Sequence, residues 1–383
     1  MNRKHQHPVA PPRLQALTGI RGVAAWWVVV YHVHGEMTVA FGPLATEIAA
    51  WGFVAVDFFF QLSGFIIALN YFDRVPPGSA KAWRTYLMAR FSRVYPMHAL
   101  ILLAYLANPL VILCCSSEKY LGARYDINYY VMSIFLVQNW GFTEFIAWNV
   151  PAWSVSTEAF AYICFPLLAA AVRLVAGAGL LAAGRCAIFY LVIYLGFVAL
   201  WSGFGHGLGG EIARHGLLRC VAQFFLGVVL YAIWRHAPTG MKVPSWLFGV
   251  LALAGMAATP LDLAPDYILV PPTCSCLIYW LATTRGGLAR VFESPLLVRL
   301  GEISYATYIS HYLVRDWVKF LLMDGPQASL GVFMAYLLGV AVASVVLYHL
   351  VEEPARAWLL GRGRGVPPSA RVLAVPSKGS ARL

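Results

Sequence analysis

Apolar runs long enough to cross a hydrocarbon core, roughly 17 to 25 residues each, recur along this chain near 14–34, 48–70, 95–115, 150–172, 186–204, 215–234, 244–260, 267–283, 296–318 and 328–350. The pattern predicts an all-α polytopic membrane bundle of about ten transmembrane helices. The stretch 129–142 is apolar but too short to cross comfortably, so it reads as re-entrant or interfacial on the outer side. Most of the 28 basic residues then fall in alternate connections or beyond the first and last runs; the connections hold Arg74, Lys81, Arg84, Arg90 and Arg93; Arg173 and Arg185; Arg235 and Lys242; and Arg285, Arg290 and Arg299. With Arg3, Lys4 and Arg13 before the first run and Arg356, Arg362, Arg364, Arg371, Lys378 and Arg382 after the last, the positive-inside rule places both termini in the cytoplasm.

Composition agrees with the pattern. At 60% hydrophobic and 12% charged residues, with a mean hydropathy of +0.68, a chain of 383 residues has too little polar surface to cover a soluble globule. The net charge of +11 is what short cytoplasmic loops require, so nucleic acid is not an expected partner. Three segments are expected: a cytoplasmic tail at 1–13, a membrane domain at 14–355, and a basic, disordered cytoplasmic tail at 356–383. The first run is read as a retained helix, since Arg21 interrupts it and no small-x-small cleavage site follows. Seven cysteines, mostly inside runs, read as packing residues rather than a disulfide framework. The Cys274-x-Cys276 pair lacks the spacing and the second pair of a zinc site, so no metal is expected.

What stands out is ionisable residues inside the runs, which mark function by default in a membrane. Arg21 and His32 are eleven residues apart; on a helix that is three turns plus about 20°, so both lie on one face, about 16 Å apart along the axis. Asp57 and Glu158 each lie about nine residues in from the outer end of their runs, roughly 13 Å. Buried carboxylates and an imidazole are costly in hydrocarbon unless they face a polar cavity or each other. A cavity open toward the outer side is the economical reading; interhelical hydrogen bonding for helix association is the alternative. Arg90 and Arg93, three residues apart on one helix face, form a fork suited to phosphate, with Arg21 as a third cation. Cytoplasmic anchoring accounts for such a pair equally well.

Other patterns fail on context. The Gly205-His-Gly207-Leu-Gly-Gly210 run has dinucleotide-loop spacing but follows a membrane helix, so it reads as a flexible connector. His311 and Asp316 share a His-x4-Asp spacing near the outer end of a span and read as polar contacts. There is no Gly-x-Ser-x-Gly elbow and no phosphate-binding loop with its lysine.

The chain resembles the acyltransferase 3 family of bacterial multi-pass membrane acyltransferases, which modify surface glycans and other extracytoplasmic acceptors. The likeness covers most of residues 14–355. It rests on Leu17-Thr-Gly-Ile-Arg21-Gly with His32 completing an Arg-x10-His pattern, on Val56-Asp57-Phe-Phe-Phe-Gln-Leu-Ser63-Gly64-Phe65, and on Arg90-Phe-Ser-Arg93-Val-Tyr-Pro96. Trp153-Ser-Val-Ser-Thr-Glu158-Ala-Phe-Ala-Tyr162, Gly301-Glu-Ile-Ser304-Tyr305-Ala-Thr-Tyr308-Ile-Ser-His311 and Glu352-Glu-Pro354 extend it. Gln61 and His98 depart from the family's usual aliphatic or aromatic residues. No hydrolase-like module of the kind some relatives carry is expected after the last helix, and the membrane domain or a partner is expected to handle the acceptor.

The resemblance implies an O-acyltransferase of the bacterial inner membrane. It makes His32 the essential catalytic residue, assigns Arg21, Arg90 and Arg93 to the acyl-CoA donor, and places Glu158 in the active site. Acyl-CoA, acetyl-CoA foremost, enters as co-substrate, and no cofactor is expected to be bound. The acceptor is a hydroxyl, with a cell-surface or secreted polysaccharide as first expectation. His32 then either deprotonates the acceptor or accepts the acyl group itself, and Glu158, or Asp57, is the candidate to orient its ring. A transporter of an anionic or lipid-linked solute is the alternative from another class.

Overall fold

The computed structural model describes residues 14–76, 78–115, 122–179, 181–237, 244–284, 286–323 and 325–361. The expected tail at 1–13, most of the expected tail at 356–383, and the loop cations Lys119, Lys242 and Arg285 lie outside the described residues. All regular structure among the described residues is helical. In chain order the helices are α1 (Gln15–Tyr31), α2 (Thr38–Ala50), α3 (Ala55–Tyr71), α4 (Ala80–Ala104), α5 (Ala107–Cys115), α6 (Ile127–Ile134), α7 (Ala152–Ala176) and α8 (Ala182–Ser202). They continue as α9 (Ile212–His236), α10 (Ser245–Ala258), α11 (Asp266–Thr283), α12 (Ala289–Phe292), α13 (Pro295–Glu302), α14 (Ser304–Leu322), α15 (Leu330–Leu347) and α16 (Glu353–Leu359).

Among the described residues, six helical stretches are long and apolar enough to cross a membrane: 42–71, 80–114, 152–176, 182–202, 212–236 and 330–359. The other four runs give helices that are shorter or more polar. α1 has 17 residues and carries Arg21, α10 has 14, and α11 contains Pro271 and Pro272. The run 296–318 breaks at Ile303 into α13 and α14, and α14 carries His311, Arg315, Asp316 and Lys319. The stretch 129–142 supplies part of α6, eight residues and about 12 Å long, and then irregular chain.

In lipid the hydrophobic effect does not drive helices together, so close backbone approach and polar contacts must do so. α3 and α9 cross where Gly64 meets the carbonyl of Phe224 and Gly227 meets that of Gln61; a Cβ at either glycine would lie 2.0 Å from the facing oxygen. Beside this crossing runs a buried polar network. Arg219 of α9 donates to both carboxylate oxygens of Asp57 on α3, at 2.9 and 2.5 Å, and Gln223 donates to Asp57 at 3.1 Å. Gln61 donates to Gln223 (2.6 Å) and to the carbonyl of Pro271 (2.9 Å), while Ser275 of α11 donates to Gln61 (2.7 Å) and sits 2.6 Å from the Tyr190 hydroxyl of α8. Pro272 lacks the N–H that would bond the carbonyl of Ile268, and the Tyr194 hydroxyl donates to that carbonyl at 2.9 Å.

The connector containing Gly205, Gly207 and Gly210 is pinned rather than flexible. The Asp266 carboxylate accepts from the Leu208 N–H at 3.0 and 2.9 Å, and the Leu208 carbonyl accepts from Arg219 at 2.7 Å.

Candidate active site

α1, α3, α4, α7 and α14 surround a cavity of about 120 Å³. Arg21, Arg90, Arg93 and Glu158 line it together, although they come from three helices. Arg90 and Arg93 lie mid-way along α4, because that helix starts at Ala80, before the apolar run. Arg90 donates to the Tyr71 hydroxyl (3.2 Å) and stacks on its ring, 5.1 Å from the centroid. Two further charges bear on this end. Glu352, 4% exposed, lies within electrostatic reach of Arg21 and Arg93, and Arg356 within reach of Arg90 and Arg93. Glu352 sits on a widened turn, Tyr348–Glu352, where Pro354 cannot supply the N–H of a regular helix.

Three buried polar atoms at this end have no hydrogen-bond partner among the described residues: Arg90 Nε, Glu352 Oε2 and the Tyr86 hydroxyl. Two carboxylates against four guanidinium groups leave the pocket cationic. Buried polar groups are normally satisfied; Arg90 Nε and the Tyr86 hydroxyl can donate to an anion and, with the surplus of guanidinium charge, form a seat suited to a polyanion, whereas Glu352 Oε2 only accepts and calls for a donor.

Phe59, Phe60, Ile66 and Val155 also line the cavity, as do Ser154 and Tyr308, whose oxygens are 2.7 Å apart. His311 lies one helical turn beyond Tyr308, and next to it is His32. α1 tightens as it ends: the His32 N–H bonds Val28 O and the Val33 N–H bonds Val30 O, while the skipped carbonyl of Val29 accepts from the Tyr336 hydroxyl at 3.1 Å. His32 Nδ1 faces Val28 O at 2.9 Å and His311 Nε2 at 3.2 Å. The chain beyond is clamped to α14, where Arg315 and Lys319 donate to Glu36 at 2.6 and 2.7 Å.

The expectation that Asp57 serves catalysis meets a different arrangement. Its carboxylate is fully buried, holds Arg219 and Gln223, and does not line the cavity. Glu158 faces the arginines rather than the imidazole, and the contacts of His32 include neither carboxylate. Sequence reasoning gave Arg219 no part and left Glu352 and Arg356 without a role in the site. The closing Glu352-Glu-Pro354 motif was the available signal for the latter two.

The profile described as an acyltransferase domain matches residues 14–349. The chain belongs to the acyltransferase 3 family. It is 29% identical to "Acyltransferase MdmB" of Streptomyces mycarofaciens, over 93% of this chain and 95% of that protein. It is 22% identical to "Putative O-acetyltransferase SACOL0978" of Staphylococcus aureus strain COL, over 90% of this chain but 57% of that longer protein. A 92-residue segment, 24% of this chain, is 39% identical to "Protein 2 in picA locus" of Rhizobium radiobacter. No solved structure matches. As an acyltransferase 3 protein with membrane-crossing helices, the chain carries out acyl transfer and requires an acyl donor and a hydroxyl acceptor.

Proposed function

We propose that this acyltransferase 3 protein, seated in a bacterial inner membrane with both termini cytoplasmic, moves an acyl group, acetyl foremost, from cytoplasmic acyl-CoA to a hydroxyl of an extracytoplasmic acceptor. A cell-surface or secreted polysaccharide is the acceptor class. The observation that carries the reading is the cationic end of the cavity, where Arg21, Arg90 and Arg93 converge beside orphaned polar atoms. Guanidinium groups bind phosphates bidentately, and the CoA phosphates supply the missing anions. The apolar lining of the cavity suits the pantetheine arm, and α1 spans the roughly 16 Å from Arg21 to His32.

In the step itself His32 takes the proton from the acceptor hydroxyl, and the oxygen attacks the thioester carbonyl. The new C–O bond forms, the C–S bond breaks, and the imidazolium returns its proton to the departing CoA thiolate. The arginines hold the donor and play no part in the proton transfers.

The test uses permeabilised membranes containing the full chain, with radiolabelled acetyl-CoA and counting of label fixed into glycan. His32→Ala abolishes transfer while the protein persists in the membrane. Arg90→Gln with Arg93→Gln raises KM for acetyl-CoA at least about tenfold with kcat largely kept, since those charges act on phosphate rather than on the reacting carbonyl. Wild-type transfer by the His32 variant, or an unchanged KM in the double variant, refutes the reading.

A further inference from the structure

We infer that His311 is the positioning residue of this site: a neutral imidazole that fixes the tautomer of His32, the task a carboxylate performs in hydrolytic triads. The inference rests on the role given to His32 above and adds the partner that role requires.

The argument is one of donors and acceptors. His311 Nδ1 faces the carbonyl of Tyr308 at 2.7 Å, and a carbonyl only accepts, so Nδ1 carries the hydrogen. In the neutral ring Nε2 then holds a lone pair. That lone pair faces His32 Nδ1 at 3.2 Å, so His32 Nδ1 must be the donor. The second contact of His32 imposes the same choice, because Nδ1 also lies 2.9 Å from the carbonyl of Val28. Two acceptors, one on α1 and one on α14, therefore put the hydrogen on Nδ1 and leave Nε2 of His32 as the basic atom. No hydrogen bond to Nε2 is found among the described residues, so it remains free for a substrate hydroxyl.

Apart from the Val28 carbonyl, which belongs to the same helix, no other group around the ring among the described residues accepts from Nδ1. Its neighbours are Tyr31, His34 and Glu36 from its own segment, and Tyr312 and Arg315 from α14. Glu36 is held by Arg315 and Lys319. His311 is completely buried, so its own Nε2 does not reach substrate, and its second nitrogen is tied to backbone. It acts through His32 only. An acceptor on Nδ1 also favours the imidazolium that forms as the hydroxyl proton is taken.

The test compares His311→Leu, which has no acceptor, with His311→Gln, whose amide oxygen stands near the place of Nε2 at similar volume, with His32→Ala alongside. Each is measured as kcat and KM for acetyl-CoA in permeabilised membranes, with a thermal melt of the detergent-solubilised full chain. The Leu variant loses kcat at least about tenfold with KM unchanged, matching a lost hydrogen bond to a developing charge. The Gln variant keeps kcat within about threefold, and both melt like the wild type. Wild-type kcat in the Leu variant overturns the inference, as does an equal loss in both variants, which indicates shape rather than an acceptor. If the Leu protein does not accumulate, the Gln variant decides: retained kcat supports the inference, and a tenfold loss without a change in melting overturns it. Transfer persisting in His32→Ala overturns the proposed function, whereas a dead His32→Ala beside a fully active His311→Leu overturns only the role of His311.

Discussion

The carboxylate of Asp57 is the sharpest place to separate structure from chemistry. Asp57→Ala removes three hydrogen bonds, two from Arg219 and one from Gln223, at a site where the acid and the guanidinium are 0% and 1% exposed. Arg219 keeps only the carbonyls of Leu208 and Phe53. A charge left buried without its counter-ion costs about 3–5 kcal/mol, more than the 1.5–3 kcal/mol or so of one charged hydrogen bond. Against a total stability of about 5–15 kcal/mol, this is roughly a fifth or more of what holds the fold together. The detergent-solubilised variant is therefore expected to melt far below wild type, or to fail to accumulate. Replacing both partners, Asp57→Leu with Arg219→Met, removes the uncompensated charge and recovers much of the lost stability, because a buried pair is worth little more than well-packed apolar groups. If Asp57→Ala melts with the wild type and yet transfers nothing, the carboxylate is a chemical participant and the structural assignment is wrong.

Two other perturbations probe the frame. Gly64→Ala drives a methyl group into the Phe224 carbonyl across the α3–α9 crossing and is expected to cost at least about 1–3 kcal/mol; Gly196→Ala on α8, with open space around it, is the control that should not destabilise the chain in the same melts. Burial pushes the carboxyl of Glu36 up, but the hydrogen bond from Lys319 and the charge of Arg315 prevail and hold it below its ordinary value of 4.5. Its folded pKa lying below the unfolded one, its contribution is complete above about 4.5 and fades as pH falls through the folded value. Tm should thus drop more steeply on acidification in the wild type than in Glu36→Gln, and parallel curves would dismiss the clamp.

Much of the site could be read from the chain because spacing on one helix is fixed by helix geometry. Arg90 with Arg93 needed only the rise and turn per residue, and the cavity gathers Arg21 and Glu158 beside them, whereas His32, eleven residues from Arg21, is not among the residues that line it. What eluded sequence reasoning was pairing between helices. Asp57 and Arg219 are 162 residues apart, and only the α3–α9 glycine crossing brings them into contact. Likewise His32 and His311, 279 apart, meet through the packing of α1 on α14. Three of the four runs that yielded shorter or more polar helices carry polar machinery or prolines, Arg21 in α1, the prolines of α11 and the charged C-terminal half of α14, while α10 is apolar but only 14 residues long.

The lining of the cavity at Tyr308 makes a last demand on the chemistry. On the proposed route a thioester held by the arginines would meet the Tyr308 ring before His32; that ring is fixed by its hydroxyl, 2.7 Å from Ser154 Oγ and 3.3 Å from the carbonyl of Pro151, and by edge contact with Phe59. The room beside this ring therefore limits the acyl chain. Tyr308→Ala is expected to widen that room without touching the phosphate end, leaving KM for acetyl-CoA within a few-fold of wild type. It should raise the kcat/KM of butyryl-CoA relative to acetyl-CoA at least about tenfold, two methylenes in an apolar pocket accounting for that much discrimination. The measurement is a competition of the two labelled donors in the same membranes. An unchanged ratio in a protein that folds and transfers acetyl normally means the acyl group travels elsewhere, and the route from the guanidinium cluster past Ser154 would have to be abandoned.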